Sequence, residues 1–234
     1  MLEQSAERIL REVGERSLVL DVGGWAKPFP RADWVIDLHP HATRGLYDYD
    51  RESVEERFGP DTWVQRDICD RQPWPFAERQ FDFAVCAQTL EDLRDPLWVC
   101  AELTRVARAG YIEVPSRLEE QSLGVDGAQW AGWSHHRWLC DVDEGAIRFV
   151  HKPHHLHARA DRHLSAAFLA RLSPTQRVAA LWWRESFSFT EEIFTAGEAL
   201  DAYLREPVLA HEPARVSSPG SARGWRARAR RRRR

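Results

Sequence analysis

The stretch Ser17-Leu18-Val19-Leu20-Asp21-Val22-Gly23-Gly24 decides how the rest of the chain reads. An apolar run this short, closed by an acid and a glycine pair, is a buried parallel strand entering a sharp turn rather than a core helix. Glycine has no Cβ, so backbone there can turn tightly and lie against a ligand. A second short strand, Trp34-Val35-Ile36, also ends in an acid, Asp37. In open α/β sheets ligands gather outside the carboxyl ends of the strands, where Asp21, Gly23, Gly24 and Asp37 converge. An acid closing the second strand can hold both hydroxyls of a ribose.

Only nine residues, 25–33, separate the glycines from the second strand, and Pro28 and Pro30 are among them. A crossover helix with its loops needs ~10–12 residues, so that helix is absent or reduced to one turn. Dinucleotide folds seat a pyrophosphate on that helix and need a third glycine to bring it close. Neither is present, and a nicotinamide dinucleotide is disfavoured.

Outward from this stretch the pattern continues. Leu2, Ala6, Ile9, Leu10 and Val13 mark one amphipathic helix closed by Gly14. Asp50 followed by 51–58 and Gly59 reads as a short capped helix. Strands follow at 63–67, 81–86 and 111–114, and Asp95-Pro96 opens a helix of about fourteen residues that Gly110 closes. Alternating strands and helices predict an α/β, Rossmann-like, doubly wound and mostly parallel sheet.

Val19-Leu20-Asp21-Val22-Gly23-Gly24, Val35-Ile36-Asp37, Arg66-Asp67-Ile68 and the run Phe81-Asp82-Phe83-Ala84-Val85-Cys86-Ala87-Gln88-Thr89-Leu90-Glu91-Asp92-Leu93 together resemble a class I S-adenosylmethionine methyltransferase of the small-molecule "type 11" branch. The resemblance covers 18–115. It implies that Asp21, Gly23 and Gly24 line the methionine end of S-adenosylmethionine, and that Asp37 binds the ribose with Leu38 beside the adenine. It also implies that Asp67 accepts from the adenine amino group, that Ile68 packs on its ring, and that Gln88 and Thr89 face the sulfonium. Trp25 stands near the family's third motif glycine, and Gln88 and Asp92 replace its usual histidines. The cofactor carries no phosphate, so a chain without the phosphate-binding helix can still hold it.

Residues 1–116 are thus expected to form the cofactor-binding core, 117–206 a substrate-side hairpin and helix extension completing the sheet, and 207–234 a linker with an Arg-rich tail. Within the extension, 137–142 and 146–151 read as a β-hairpin, 161–172 as a helix, 181–183 and 187–189 as an edge strand, and 196–205 as a last helix. His135 and His136, set among Trp130, Trp133 and Trp138, are the best candidates for a general base, with Glu113 in reserve; the competing reading makes the histidines structural hydrogen-bonders. The histidines of 151–157 invite a metal reading, but Pro153 blocks helical pairing of His151 with His155 and no acid or cysteine cluster adjoins, so no metal is expected.

Composition bounds the partners. Four unpaired cysteines without C-x-x-C spacing, no early apolar segment and no span of ~20 apolar residues suit a cytoplasmic protein. Residues 223–234 hold eight arginines and no acid, so a net charge of −3 becomes −11 without them. That acidic body disfavours nucleic acid, which is left at most a weak contact with the tail. Nor does Ala87-Gln88-Thr89-Leu90 match the [DN]-P-P-[YF] of base-amino methylases. The expected function is methyl transfer to a hydroxyl or amine of a small molecule or saccharide. The rivals are a catalytically silent scaffold of the same fold and, from the strand–turn–acid pattern alone, a nicotinamide-dependent oxidoreductase.

The tail's composition is that of disordered chain, which adds no packed contacts. Removing 223–234 is therefore expected to leave the melting temperature and cofactor affinity unchanged. A fall of more than ~3 °C, comparable with about 1 kcal/mol for a domain of this size, would show instead that the tail docks on the acidic body.

Overall fold

The computed structural model describes residues 1–46, 49–50 and 53–217. Strands β1 (Val19–Val22), β2 (Trp34–Asp37), β3 (Trp63–Gln65), β4 (Phe83–Ala87) and β5 (Ala109–Pro115) pair in parallel in the order β3-β2-β1-β4-β5. A sixth strand, β8 (Val178–Arg184), runs antiparallel along β5 and closes that edge. The mostly parallel Rossmann-like sheet expected from the sequence is present.

Each strand alternates its side chains between two apolar faces. One face presents Val19, Val35, Val85 and Tyr111, and α1 (Glu3–Glu12) covers it with Ile9 while Phe29 and Phe58 fill in from loops. No helix joins β1 to β2, as the spacing requires, so α1 and those aromatic side chains seal the face instead. The other face presents Leu20, Ile36, Cys86 and Ile112 to α2 (Pro96–Val106). Asp95 caps α2 by accepting from the Trp98 amide at 3.1 Å.

The hairpin appears as β6 (Trp138–Asp143) and β7 (Ala146–His151), paired from Trp138↔His151 to Asp143↔Ala146. It does not extend the main sheet. With β9 (Ser188–Glu191) parallel to β7 it forms a second, three-stranded sheet that buries Trp138, Cys140, Ile147 and Phe149 in the same core as α2. Of the two segments expected to share one edge strand, 181–183 lies in β8 and 187–189 lies at β9.

Four expected elements differ. Residues 53–58 are not helical, and 51–52 lie outside the described residues; the Glu56 carboxylate is drawn instead to Arg44 and the Tyr49 hydroxyl. Gly110 does not close α2, because the helix ends at Val106 and the glycine lies inside β5. After the one-turn α3 (Arg117–Glu120) that follows β5, the helix expected over 161–172 contracts to α4 (Ala166–Leu169), capped by Ser165, while Asp161 and Arg162 pair with Arg159 and Asp201. The last long helix, α5 (Gly197–His211), continues through Pro207 and is followed after Glu212 by α6 (Pro213–Ser217), so 207–217 is two helices rather than linker. The Arg-rich tail falls in 218–234, outside the described residues.

Buried Glu102 joins α2 to the aromatic turn at Trp74. It accepts from the Trp74 amide at 2.6 Å and pairs with Arg105 at 2.7 Å. Glu102→Ala strands a buried N–H and is expected to cost about 2–3 kcal/mol, seen as a fall in melting temperature of roughly 4–12 °C. A fall under ~2 °C would mean the turn holds without it.

Candidate functional site

The carboxyl ends of β1, β2 and β4 and the loop after β3 lie along one edge of the sheet, as the parallel order requires, and that edge is where an open α/β sheet forms its ligand crevice. At the end of β2, Asp37 is 7% exposed, and each carboxylate oxygen takes one backbone donor: Trp25 N–H at 3.0 Å and His39 N–H at 2.8 Å. The Leu38 amide also acts on this carboxylate, so the backbone on both sides of it fixes its orientation. Burial raises its pKa, and those amides oppose the rise. Leu38 beside it is 57% exposed, a large apolar side chain facing outward. Asp67, beyond β3, pairs with Arg94 at 2.6 Å and accepts from the Cys69 amide. Burial pushes Asp67 up, but Arg94 and Cys69 outweigh it and hold the carboxyl below its usual range. Ile68 is 5% exposed and packs in the core with Trp74.

At the glycine turn, Gly23 adopts φ +74°, and a Cβ there would collide with Thr89 from the loop after β4. The turn and that loop are therefore in direct contact. Asp21 lies under the turn instead of on its outer surface. It is 3% exposed and accepts from the Phe29 amide at 2.7 Å, so it holds the β1–β2 connection down. Burial pushes its pKa up to about 7; the Phe29 amide opposes this and nearby Asp37 reinforces it.

Gln88, exposed just past β4, takes a left-handed φ of +55°. Strained backbone of this kind gathers at working sites. Its amide donates to the Glu113 carbonyl at 2.7 Å and its side chain donates to the Glu113 carboxylate at 3.2 Å. Glu113 itself is 1% exposed and also binds the Met1 ammonium, the Leu2 amide and the Tyr111 hydroxyl. Buried among those partners, the reserve base of the sequence reading is placed as a structural anchor.

His135 and His136 are brought to the loop after β4, because the Arg137 and Trp138 amides both donate to the Glu91 carbonyl. There the imidazoles meet Asp92 rather than Gln88: each Nε2 lies 3.9 Å from Asp92 Oδ1. The His136 side chain is largely covered, its Nδ1 2.8 Å from Glu120 Oε2, and Glu120 Oε1 binds Lys152 at 2.5 Å. Burial, with the charges of Asp92 and Glu120, drives the neighbouring Glu91 carboxyl well above its ordinary range. Sequence reasoning had Asp92 only as a departure from the family and missed Glu120 and Lys152; no local spacing links Glu120 to histidines sixteen residues on.

A separate cavity of about 780 Å³ opens between α1 and residues 27–31, and no expected site residue lines it.

A family profile described as a methyltransferase domain matches residues 35–112. No curated protein matches. Solved structures that resemble the chain include the YcgJ protein of Bacillus subtilis (17% identity, TM-score 0.38, covering 49% of this chain and 52% of that one). They also include a SAM-dependent methyltransferase of Aquifex aeolicus (25% identity, TM-score 0.32, covering 47% and 62%). The chain thus spans little more than half the length of these structures.

Such a domain implies S-adenosylmethionine, and the donor set fits its adenosine half. Asp37 presents a carboxylate held by backbone amides at the strand end, Leu38 beside it is an exposed apolar side chain, and Asp67 stands beyond the neighbouring strand.

Asp21 gives a pH signature. Its folded pKa of about 7 exceeds the unfolded 3.8, so between those values the folded state keeps a proton that the unfolded chain releases. Stability from this group is complete below pH ~4, falls as pH rises to ~7, and is flat above, a span of up to about 4 kcal/mol. Asp21→Asn is expected to gain stability relative to the parent as pH rises from 4.5 to 8 in urea unfolding. A constant difference across that range would show that Asp21 is ionised in the folded protein.

Proposed function

With a methyltransferase domain at residues 35–112 as the premise, we propose that the protein transfers the methyl group of S-adenosylmethionine to a hydroxyl or amine of a small molecule or saccharide. The observation that carries this is Asp37, a buried acid at the carboxyl end of the second strand whose two oxygens are each oriented by a backbone amide. Asp37 takes the ribose hydroxyls, Leu38 and Asp67 flank the adenine, and Gln88 and Thr89 border the reacting end. When bound, the cofactor supplies an electrophilic methyl group on a sulfonium.

In-line displacement depends on holding the acceptor close and aligned, which supplies much of the rate. The acceptor's proton must also leave. Asp92, His135 and His136 are the groups beyond Gln88 that serve this, either as a base or by holding a cation that acidifies the acceptor. The acidic body suits a neutral or cationic acceptor better than an anionic one.

A silent scaffold remains the second reading. Contact between the Gly23 turn and Thr89 narrows the methionine end with the chain's own atoms. Calorimetry separates the two. Tight binding of S-adenosylhomocysteine, without binding of NAD, is expected; binding of neither would favour the scaffold. Asp37→Ala removes two charge-assisted hydrogen bonds to the ribose, each worth ~1.5–3 kcal/mol, and is expected to weaken S-adenosylhomocysteine at least tenfold. An unchanged dissociation constant in a variant that still melts cooperatively would take Asp37 out of the ribose site.

A further inference from the structure

We infer that Asp92, His135 and His136 form a binding site for a divalent first-row transition ion of the zinc class, with coordination positions left open to an oxygen or nitrogen of a small molecule. One ligand atom from each residue lies within 4.8 Å of the other two. Tetrahedral zinc with bonds of about 2.0–2.1 Å sets its ligands roughly 3.3 Å apart, so the 3.9 Å from each Nε2 to Asp92 Oδ1 closes with small side-chain adjustment. Two imidazoles and one carboxylate are a donor set suited to such an ion, and three protein ligands leave a position vacant.

Two features mark the site as built. First, Asp92 Oδ1 is shielded from solvent yet accepts no hydrogen bond among the described residues. It is a buried acceptor facing two ring nitrogens at a distance too long for hydrogen bonding. Second, His136 is oriented from behind. Its side chain is 6% exposed and its Nδ1 meets Glu120 Oε2 at 2.8 Å, so donation from Nδ1 leaves the Nε2 lone pair toward Asp92. That is the carboxylate–histidine support that metal-bound imidazoles use. Glu120 is itself fixed by Lys152 at 2.5 Å and by the Trp133 amide at 3.2 Å. Gly132, at φ +64°, lets the loop cross directly over Glu120, where any Cβ would collide. A lone imidazolium bridging Glu120 and Asp92 would account for His136 alone; the convergence of His135 on the same oxygen asks for a cation with more than two bonds to make.

None of the three residues is among those assigned to the cofactor, so the ion is tested apart from it. Titrating the metal-free full chain with Co²⁺ is expected to give one equivalent with a visible ligand-field band, displaced by Zn²⁺. Asp92→Asn and His135→Ala, both at partly or fully exposed positions, are expected to lose the band while keeping the parent's melting temperature and S-adenosylhomocysteine affinity. Absence of the band in the parent, or a band that survives both substitutions, would overturn the site; so would its loss in His154→Ala or His157→Ala alone. Failure of S-adenosylhomocysteine to bind while the band behaves as described would instead count against the methyl-transfer reading and leave the metal site standing.

Discussion

The connection between the first two strands has only nine residues between its glycines and Trp34, and the site depends on how that constraint is met. A crossover helix would have covered one sheet face and offered its N-terminal amides to a ligand. Without it, the amides of the loop turn inward onto two acids, Phe29 N–H to Asp21 and Trp25 N–H to Asp37. Further out, Arg31 binds Asp33 and the carbonyls of Gly14 and Ser17, and Asp33 accepts from the Val19 amide. One set of interactions thus shapes the loop, closes the sheet face with Phe29 and aims the Asp37 carboxylate. The same shortage explains why a ligand without phosphate suits the crevice, since no helix N-terminus is available to neutralise one.

Local signals carried the core well. Short β-branched runs ended by acids, the Asp95-Pro96 cap and the Asp143-Glu144-Gly145 turn each determine structure within a few residues, and β1, β2, α2 and the hairpin lie where those signals put them. The misplaced elements are those whose fate is set at long range. Helical spacing over 161–172 loses to ion pairs that Asp161 and Arg162 make with Arg159 and Asp201. Gly110 reads as a helix stop but is drawn into β5 by partners on both sides, Ala84 and Trp183. Pro207 reads as a break, yet its buried face packs α5 onward. Of the site, the strand-end acids were legible because topology alone brings them together. Glu120 and Lys152 were not, since only the folded loop after β5 carries them to His136.

Two acids near the end of the crevice show how the fold separates a structural carboxylate from one free to react. Glu113 receives a donor from every side: the Met1 ammonium, the Leu2 amide, the Tyr111 hydroxyl and Gln88. Those bonds offset its burial and leave no lone pair aimed at the crevice, so a strand-end position that suggests chemistry from sequence becomes a joint between α1 and the sheet. Asp92 is the reverse case. Its chain position is pinned by its own amide, which donates to the Thr89 carbonyl, but its Oδ1 is shielded from water without a donor. An acceptor left so costs stability unless something else supplies the positive end. The elements around it give two imidazole nitrogens and a buried carboxylate orienting one of them, and among the described residues no group donates to Oδ1. The missing partner is a cation that imidazole and carboxylate can share, and that requirement, more than any resemblance, sets Asp92 apart from Glu113.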